Sequence, residues 1–166
     1  MLATLKRLAA AVAPLVLASA IAASAQAAAP LLYVTNQTDN SVLVIDTGSD
    51  AKVATLAVAS GPAMITAAPG GRHIYITHPE AGQISILDGH RLGVPRLLDV
   101  GGAPFGIAVA SDGRLFVSDW NRNLLLVLDG ETGSKIAEIS VGHAPAHVAL
   151  RPRAGVPSSP IARTTA

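Results

Sequence analysis

The sequence predicts an all-β protein built from repeated four-stranded units, and three observations carry that expectation. The first is a recurrent segment. Leu32-Tyr33-Val34-Thr35-Asn36 returns as Ile74-Tyr75-Ile76-Thr77-His78 and as Leu115-Phe116-Val117-Ser118-Asp119, at spacings of 42 and then 41 residues. The second is that its neighbours keep the same spacing. Val44-Ile45-Asp46 becomes Ile86-Leu87-Asp88 and Val127-Leu128-Asp129, while Gly61-Pro62 becomes Ala103-Pro104 and Ala144-Pro145. The third is periodicity: no window beyond the N-terminal segment is helical, and Val42–Ile45 and Leu124–Leu128 are continuous apolar runs. Such runs suit strands buried on both faces. A strand-rich repeat near forty residues fits a β-propeller, with one unit per four-stranded blade.

Each unit divides into strand signals separated by turn chemistry. In the first, strands are expected at Leu31–Asn36, Ser41–Asp46, Lys52–Val58 and Pro62–Ala67. Gln37-Thr38-Asp39-Asn40 is a polar loop, Thr47 to Ala51 a turn, and Pro69-Gly70-Gly71-Arg72 a tight turn into the next unit. The third unit repeats this pattern with Asp129-Gly130-Glu131-Thr132-Gly133. There glycines allow φ > 0 and the Asp129 carboxylate caps its own turn.

Residues 1–27 read as an export signal. Lys6-Arg7 forms a positive start, Leu8 to Ala22 an apolar core, and Ala25-Gln26-Ala27 an A-x-A cleavage site. A membrane anchor is the competing reading. Pro14 and Ser19 interrupt the apolar run, which falls short of the ~20 residues a span requires. Export to a bacterial periplasm, or secretion, is therefore expected, with no membrane association after signal removal.

The whole chain of 166 residues has 12 basic and 11 acidic residues, a formal charge of +1. Removing Lys6 and Arg7 with the signal leaves ten basic against eleven acidic residues, or −1. That balance provides no electrostatic footprint for nucleic acid or an acidic membrane surface. Cysteine is absent, which excludes disulfides, thiolate catalysis and cysteine-ligated metals together.

The Tyr33-Val34-Thr35-Asn36 motif, the Ile45-Asp46-Thr47 strand end and Gly101-Gly102-Ala103-Pro104-Phe105-Gly106-Ile107-Ala108 together resemble the YVTN family of β-propeller repeats. The resemblance covers roughly residues 30 to 152. Members of this kind include YncE-like periplasmic proteins, surface-layer proteins and the propeller subunits of quinoprotein amine dehydrogenases. The resemblance implies that the Pro-x-x-Ile-Ala strand is innermost (strand a), followed outward by the Tyr-Val-Thr-Asn strand (b), the Val-Ile-Asp strand (c) and strand d.

On that frame residues 28–153 hold three repeats, about 31–72, 73–114 and 115–153, and residues 154–166 read as a disordered tail. The strands count as b-c-d, two full a-b-c-d blades, and a last strand a at Ala146 to Leu150, twelve in all. Three blades do not close a ring, since propellers carry about 4–8. Two readings stay open. The chain is the front of a larger propeller, which the tail composition slightly favours, or two chains self-associate into a six-bladed ring.

The b–c and d–a loops of a propeller open on one face around the channel mouth, a common place for ligand sites. The candidates for a ligand- or partner-binding rim are Asn36, Asp39 and Asn40; His78 and Glu80; Asp119, Trp120, Asn121, Arg122 and Asn123; and Ser60, His143 and His147. His78, Glu80, Asp119, His143 and His147 are chemically suited to a metal. Yet none shows a helical H-x-x-x-H spacing, and short polar residues at the end of strand b ordinarily satisfy turn amides. No metal and no cofactor is therefore expected. Trp120, the sole tryptophan, lies between polar neighbours, where it either stacks on a ligand or partner or covers the end of its blade. No catalytic residue is assigned. There is no Gly-x-Ser-x-Gly elbow, and neither Gly70-Gly71 nor Gly101-Gly102 sits in a phosphate-cradling context.

The function expected is a non-catalytic, exported propeller serving as a binding platform for a protein or small ligand. The alternative is the propeller part of an enzyme system, either a quinoprotein dehydrogenase subunit or a metal-dependent, lactonase-like hydrolase.

Overall fold

The computed structural model describes residues 29–151, so the expected signal segment and the C-terminal tail lie outside the described residues. Eleven strands form three antiparallel sheets. The first holds β1 (Leu31–Asn36), β2 (Ser41–Asp46) and β3 (Ala51–Ala57) in that order. The second holds β4 (Ile65–Ala67), β5 (His73–His78), β6 (Gln83–Asp88) and β7 (Arg96–Asp99). The third holds β8 (Pro104–Val109), β9 (Arg114–Asp119), β10 (Leu124–Asp129) and β11 (Lys135–Ser140). Each sheet is a simple meander of sequential strands, as propeller blades require. No described residue is helical.

Turn chemistry holds each meander together. Asp46 Oδ1 accepts from the amides of Gly48 and Ser49 at 2.9 and 2.8 Å, and Asp88 Oδ1 from those of His90 and Arg91 at 2.8 and 3.1 Å. Asp129 Oδ1 accepts from the amides of Glu131 and Thr132 at 3.1 and 2.8 Å. The repeated aspartate is thus the cap of the c–d turn, because a short carboxylate reaches the two following amides.

The hydrophobic core lies between sheets. Val42 of the first blade packs with Ile74, Ile76 and Leu87 of the second. Tyr75, Ile84, Ile86 and Leu98 of the second blade pack with Ile107, Leu115, Val117, Leu126 and Leu128 of the third. The middle blade is covered on both faces, which explains why β5 and β6 are buried along nearly their whole length rather than at alternate residues.

Three expectations about strands need correction. The third strand begins and ends one residue earlier than expected, at Ala51–Ala57. The strand expected over Pro62–Ala67 is regular only at Ile65–Ala67. Gly61 has φ of +60° and Pro62 has no N–H to donate, so pairing there runs through an irregularity: Ala63 N donates to Thr77 O and Thr77 N to Met64 O, both at 2.9 Å. The twelfth strand, expected at Ala146 to Leu150, is not formed. Among the described residues no strand b lies beside it to supply the ladder.

Candidate functional site

The recurrent motif works first between blades. Its hydroxyl residue donates to the main chain of the next strand a each time: Thr35 to Ala63 O at 3.4 Å, Thr77 to Phe105 O at 2.7 Å, and Ser118 to Ala146 O at 3.3 Å. The same oxygen accepts from strand a of its own blade, from Met64 N at 3.1 Å to Thr77 and from Gly106 N at 2.8 Å to Ser118. One hydroxyl therefore bridges two blades. The motif tyrosines add a second stitch, Tyr33 to Gly89 O at 3.3 Å and Tyr75 to Gly130 O at 3.5 Å.

The fourth motif position behaves differently from expectation. The sequence expectation puts Asn36, His78 and Asp119 on an open rim, yet His78 and Asp119 are 0% exposed. His78 Nδ1 lies 3.2 Å from Ser60 O and Nε2 lies 2.8 Å from Ser85 Oγ. Since a carbonyl only accepts, Nδ1 carries the proton, and Nε2 accepts from the serine hydroxyl. Burial lowers the His78 pKa below its ordinary value, against a smaller upward pull from the Ser60 and Ala59 main chain. Asp119 accepts from Ala103 N at 3.2 Å, Arg122 N at 2.8 Å and Arg122 Nε at 2.7 Å. A Cβ on Gly102 would stand 1.9 Å from Asp119 Oδ2, so glycine is needed for the d–a loop to close over this ion pair. Asn36 is half-buried and donates to Ser41 Oγ at 3.2 Å. His78 and Asp119 tie down loops with their polar atoms engaged within the protein, and Asn36 ties its own turn through its amide nitrogen.

Asn40 and Asn123 are also structural. Both have positive φ, 49° and 58°, where Gly82 takes 66° in the middle blade. Their carbonyls accept from Val58 N and Val141 N, both at 3.0 Å. Their side-chain oxygens accept from Gly61 N at 2.9 Å and Ala144 N at 3.0 Å. Asparagine tolerates this left-handed turn and caps the following loop as well.

What stays open on this face is a notch between the second and third blades. It has a volume of about 290 Å³ and is lined by Pro79, Glu80, Ala103, Phe105, Trp120 and Asn121. Trp120 is 41% exposed, and its ring lies 5.2 Å from that of Phe105 at an interplanar angle of 46°. Glu80 is the one charged side chain in the lining. Of the sequence candidates, the notch brings together Glu80, Trp120 and Asn121.

The remaining candidates do not join them. Asp39 is exposed on the first blade's b–c turn, while His143 and His147 are exposed beyond β11. Arg122 is committed to Asp119. Among the described residues, no three His, Asp or Glu side chains stand close enough to hold a metal ion. Phe105 is the wall that sequence reasoning missed. A signal existed: the equivalent repeat positions are Ala63 and Ala146, so an aromatic there departs from the pattern.

No family model matches the chain. Over 87 residues it is 31% identical to the uncharacterized protein YncE of Salmonella typhi, covering 52% of this chain and 24% of YncE. Over that stretch the chain is similar to YncE. The match to YncE of Salmonella typhimurium has the same extent, so this chain spans about a quarter of the curated relatives it matches. Among solved structures, hydrazine synthase of Kuenenia stuttgartiensis superposes with a TM-score of 0.64 at 25% identity, over 70% of this chain and 34% of that one. Streptogramin B lyase gives 0.61 at 18% identity, covering 71% and 40%. AztD of Citrobacter koseri gives 0.58 at 22% identity, covering 72% and 34%. These are β-propeller proteins, and the three sheets described above are propeller blades.

Proposed function

We propose that this chain is an exported, non-catalytic propeller module whose notch between the second and third blades binds a cationic or aromatic side chain of a partner, or a small ligand of that chemistry. One observation carries the reading. The polar groups of the motif end are consumed internally, whereas the exposed chemistry is an aromatic pair, Phe105 and Trp120, with a carboxylate beside it. An ammonium or guanidinium over a tryptophan face contributes about 0.5–2 kcal/mol, and Glu80 is placed to add charge attraction. Export rests on the pattern of residues 1–27. No helix among the described residues is long and apolar enough to cross a membrane.

The test is calorimetric titration with a lysine-centred tripeptide, an arginine-centred one and a glutamate-centred one. The cationic peptides are expected to bind, and Glu80→Gln to weaken them about two- to fivefold, as an exposed charge contributes up to ~1 kcal/mol. Equal binding of the acidic peptide would defeat the cationic reading.

A second reading, an enzyme part such as a quinoprotein dehydrogenase subunit or lactonase-like hydrolase, draws support from structural relatives named as enzymes, including a synthase and a lyase.

A further inference from the structure

We infer that the notch takes a second copy of this chain, whose c–d loop of the second blade, residues 89–95, docks there through Arg91, Leu92 and Val94. The inference rests on the cationic reading of the notch given above and names its partner.

Neither surface is required by the repeat. The place of Glu80 is held by Thr38 in the first blade and by Asn121 in the third. The c–d turns of those blades run over 47–50 and 130–134, so the loop of the second blade is longer by two or three residues. Its base is fixed. Asp88 Oδ1 accepts from the amides of His90 and Arg91, and Gly89 N donates to Arg72 O at 2.7 Å. Beyond that base the loop projects. His90 to Val94 are all exposed, Val94 by 97%. A Cβ on Gly93 would meet only Arg91 O, at 4.0 Å, so no other described residue covers the tip there.

Each surface carries a charge without a counterpart. Arg91 is felt by Asp88 in its own turn, but it forms no ion pair among the described residues. Arg96, Arg114, Arg122 and Lys135 are all in ion pairs. Lys52 lies within β3, and Arg72 in the short turn before β5. Arg91 is therefore the unpaired cation on a projecting segment. Glu80 is exposed and has no polar partner among the described residues. Its side chain lies over Gly61 instead, where a Cβ would stand 3.0 Å from Glu80 Cδ.

One copy does not join the two. The turn at 79–82 and the loop at 89–95 leave opposite ends of β6, a strand of six residues that spans roughly 20 Å. Arg91 therefore meets the Glu80 of another copy. There the guanidinium has a carboxylate beside it and the Trp120 ring to stack on. Leu92 and Val94 face the apolar lining of Pro79, Ala103 and Phe105. The notch admits a loop tip and not a broad surface, so the contact is weak and transient. Charge complementarity sets its partner and register.

Reversing the two charges tests this. Light scattering of the full chain should give an average mass that rises with concentration. Arg91→Glu and Glu80→Arg should each move that rise to at least about tenfold higher concentration, since like charges then face each other. The double variant Arg91→Glu, Glu80→Arg restores opposite signs and should regain most of the association, as should an equimolar mixture of the two single variants. Both residues are exposed, and unchanged circular dichroism verifies that the variants fold. Excess lysine-centred tripeptide should return the mass toward that of one chain. A monomer at all concentrations, an association indifferent to either reversal, or a loss that the double variant does not regain would each overturn the inference. Tripeptide binding by a chain that stays monomeric overturns this inference alone, whereas the absence of both overturns the reading of the notch with it.

Discussion

Thr77 donates its hydroxyl proton to Phe105 O at 2.7 Å, crossing from the second blade to the first strand of the third. Thr77 is fully buried, and its oxygen also accepts from Met64 N at 3.1 Å. A single buried side-chain oxygen is thus one joint between the second and third sheets, which are also linked by Tyr75 to Gly130 O and by Glu131 to His73 and Arg96. This accounts for a hydroxyl residue at the third motif position in all three repeats.

Replacing Thr77 by Val keeps the shape and removes the joint. Met64 N then loses its side-chain acceptor, and Phe105 O loses its donor. An unfolding free energy lower by about 1–3 kcal/mol is expected in urea titrations. Thr77→Ser should keep most of it, as Ser118 performs the same two bonds in the third blade.

Asp119 poses a harsher case. It is wholly buried and accepts three hydrogen bonds, one of them from the Arg122 guanidinium. Asp119→Ala strands those donors and should cost about 2–4 kcal/mol, measured by thermal or urea unfolding. Asp119→Asn retains an acceptor oxygen and should cost less. Equal losses for the two variants would show that shape, not acceptance, is what the site requires.

Much of this fold is legible in sequence because its grammar is local. Asp46, Asp88 and Asp129 each bond amides two and three residues on, so the c–d turns follow from short-range chemistry. The candidate site was less legible. His78 looks like an exposed loop residue until Ser60, eighteen positions earlier, folds its carbonyl over the ring. Asp119 is likewise closed off by Ala103 N, sixteen positions away. Trp120 and Glu80 stand out as polar-loop residues, but their partner Phe105 lies on a different strand. The first two contacts join the end of one strand to the loop entering its own blade, and the third depends on how two blades stack. Neither kind is encoded in a local stretch of sequence. Ala146 to Leu150 carries the residue pattern of a strand, but no neighbouring strand pairs with it among the described residues.

Acidity tests the assignment of His78. Its folded pKa lies below the ordinary value of 6.5 because burial disfavours the charged ring. The unfolded chain then takes up the proton first, so stability is full above about pH 6.5 and declines as pH falls toward the folded pKa. The decline can reach about 1.4 kcal/mol per pH unit and stops below the folded pKa, where both states are protonated. His78→Asn, the residue found at the same position in the first blade, should flatten that part of the stability profile. Asp46 and Asp88, whose pKa values are lowered by turn hydrogen bonds, act in a separate window. Their contribution is present above 3.8 and fades as pH falls through their folded values.

A paired comparison most directly separates the binding proposed for the notch from the stability supplied by the motif. Trp120→Ala and Tyr33→Phe are each measured for affinity toward the lysine-centred tripeptide and for unfolding free energy. The prediction is a split. Trp120→Ala should lose at least about tenfold in affinity with a change in stability under about 1 kcal/mol. Tyr33→Phe, which deletes the bond to Gly89 O far from the notch, should lose about 0.5–1.5 kcal/mol of stability with unchanged affinity. The opposite result, Trp120→Ala unfolding the protein while affinity per folded molecule is unaltered, would contradict the account.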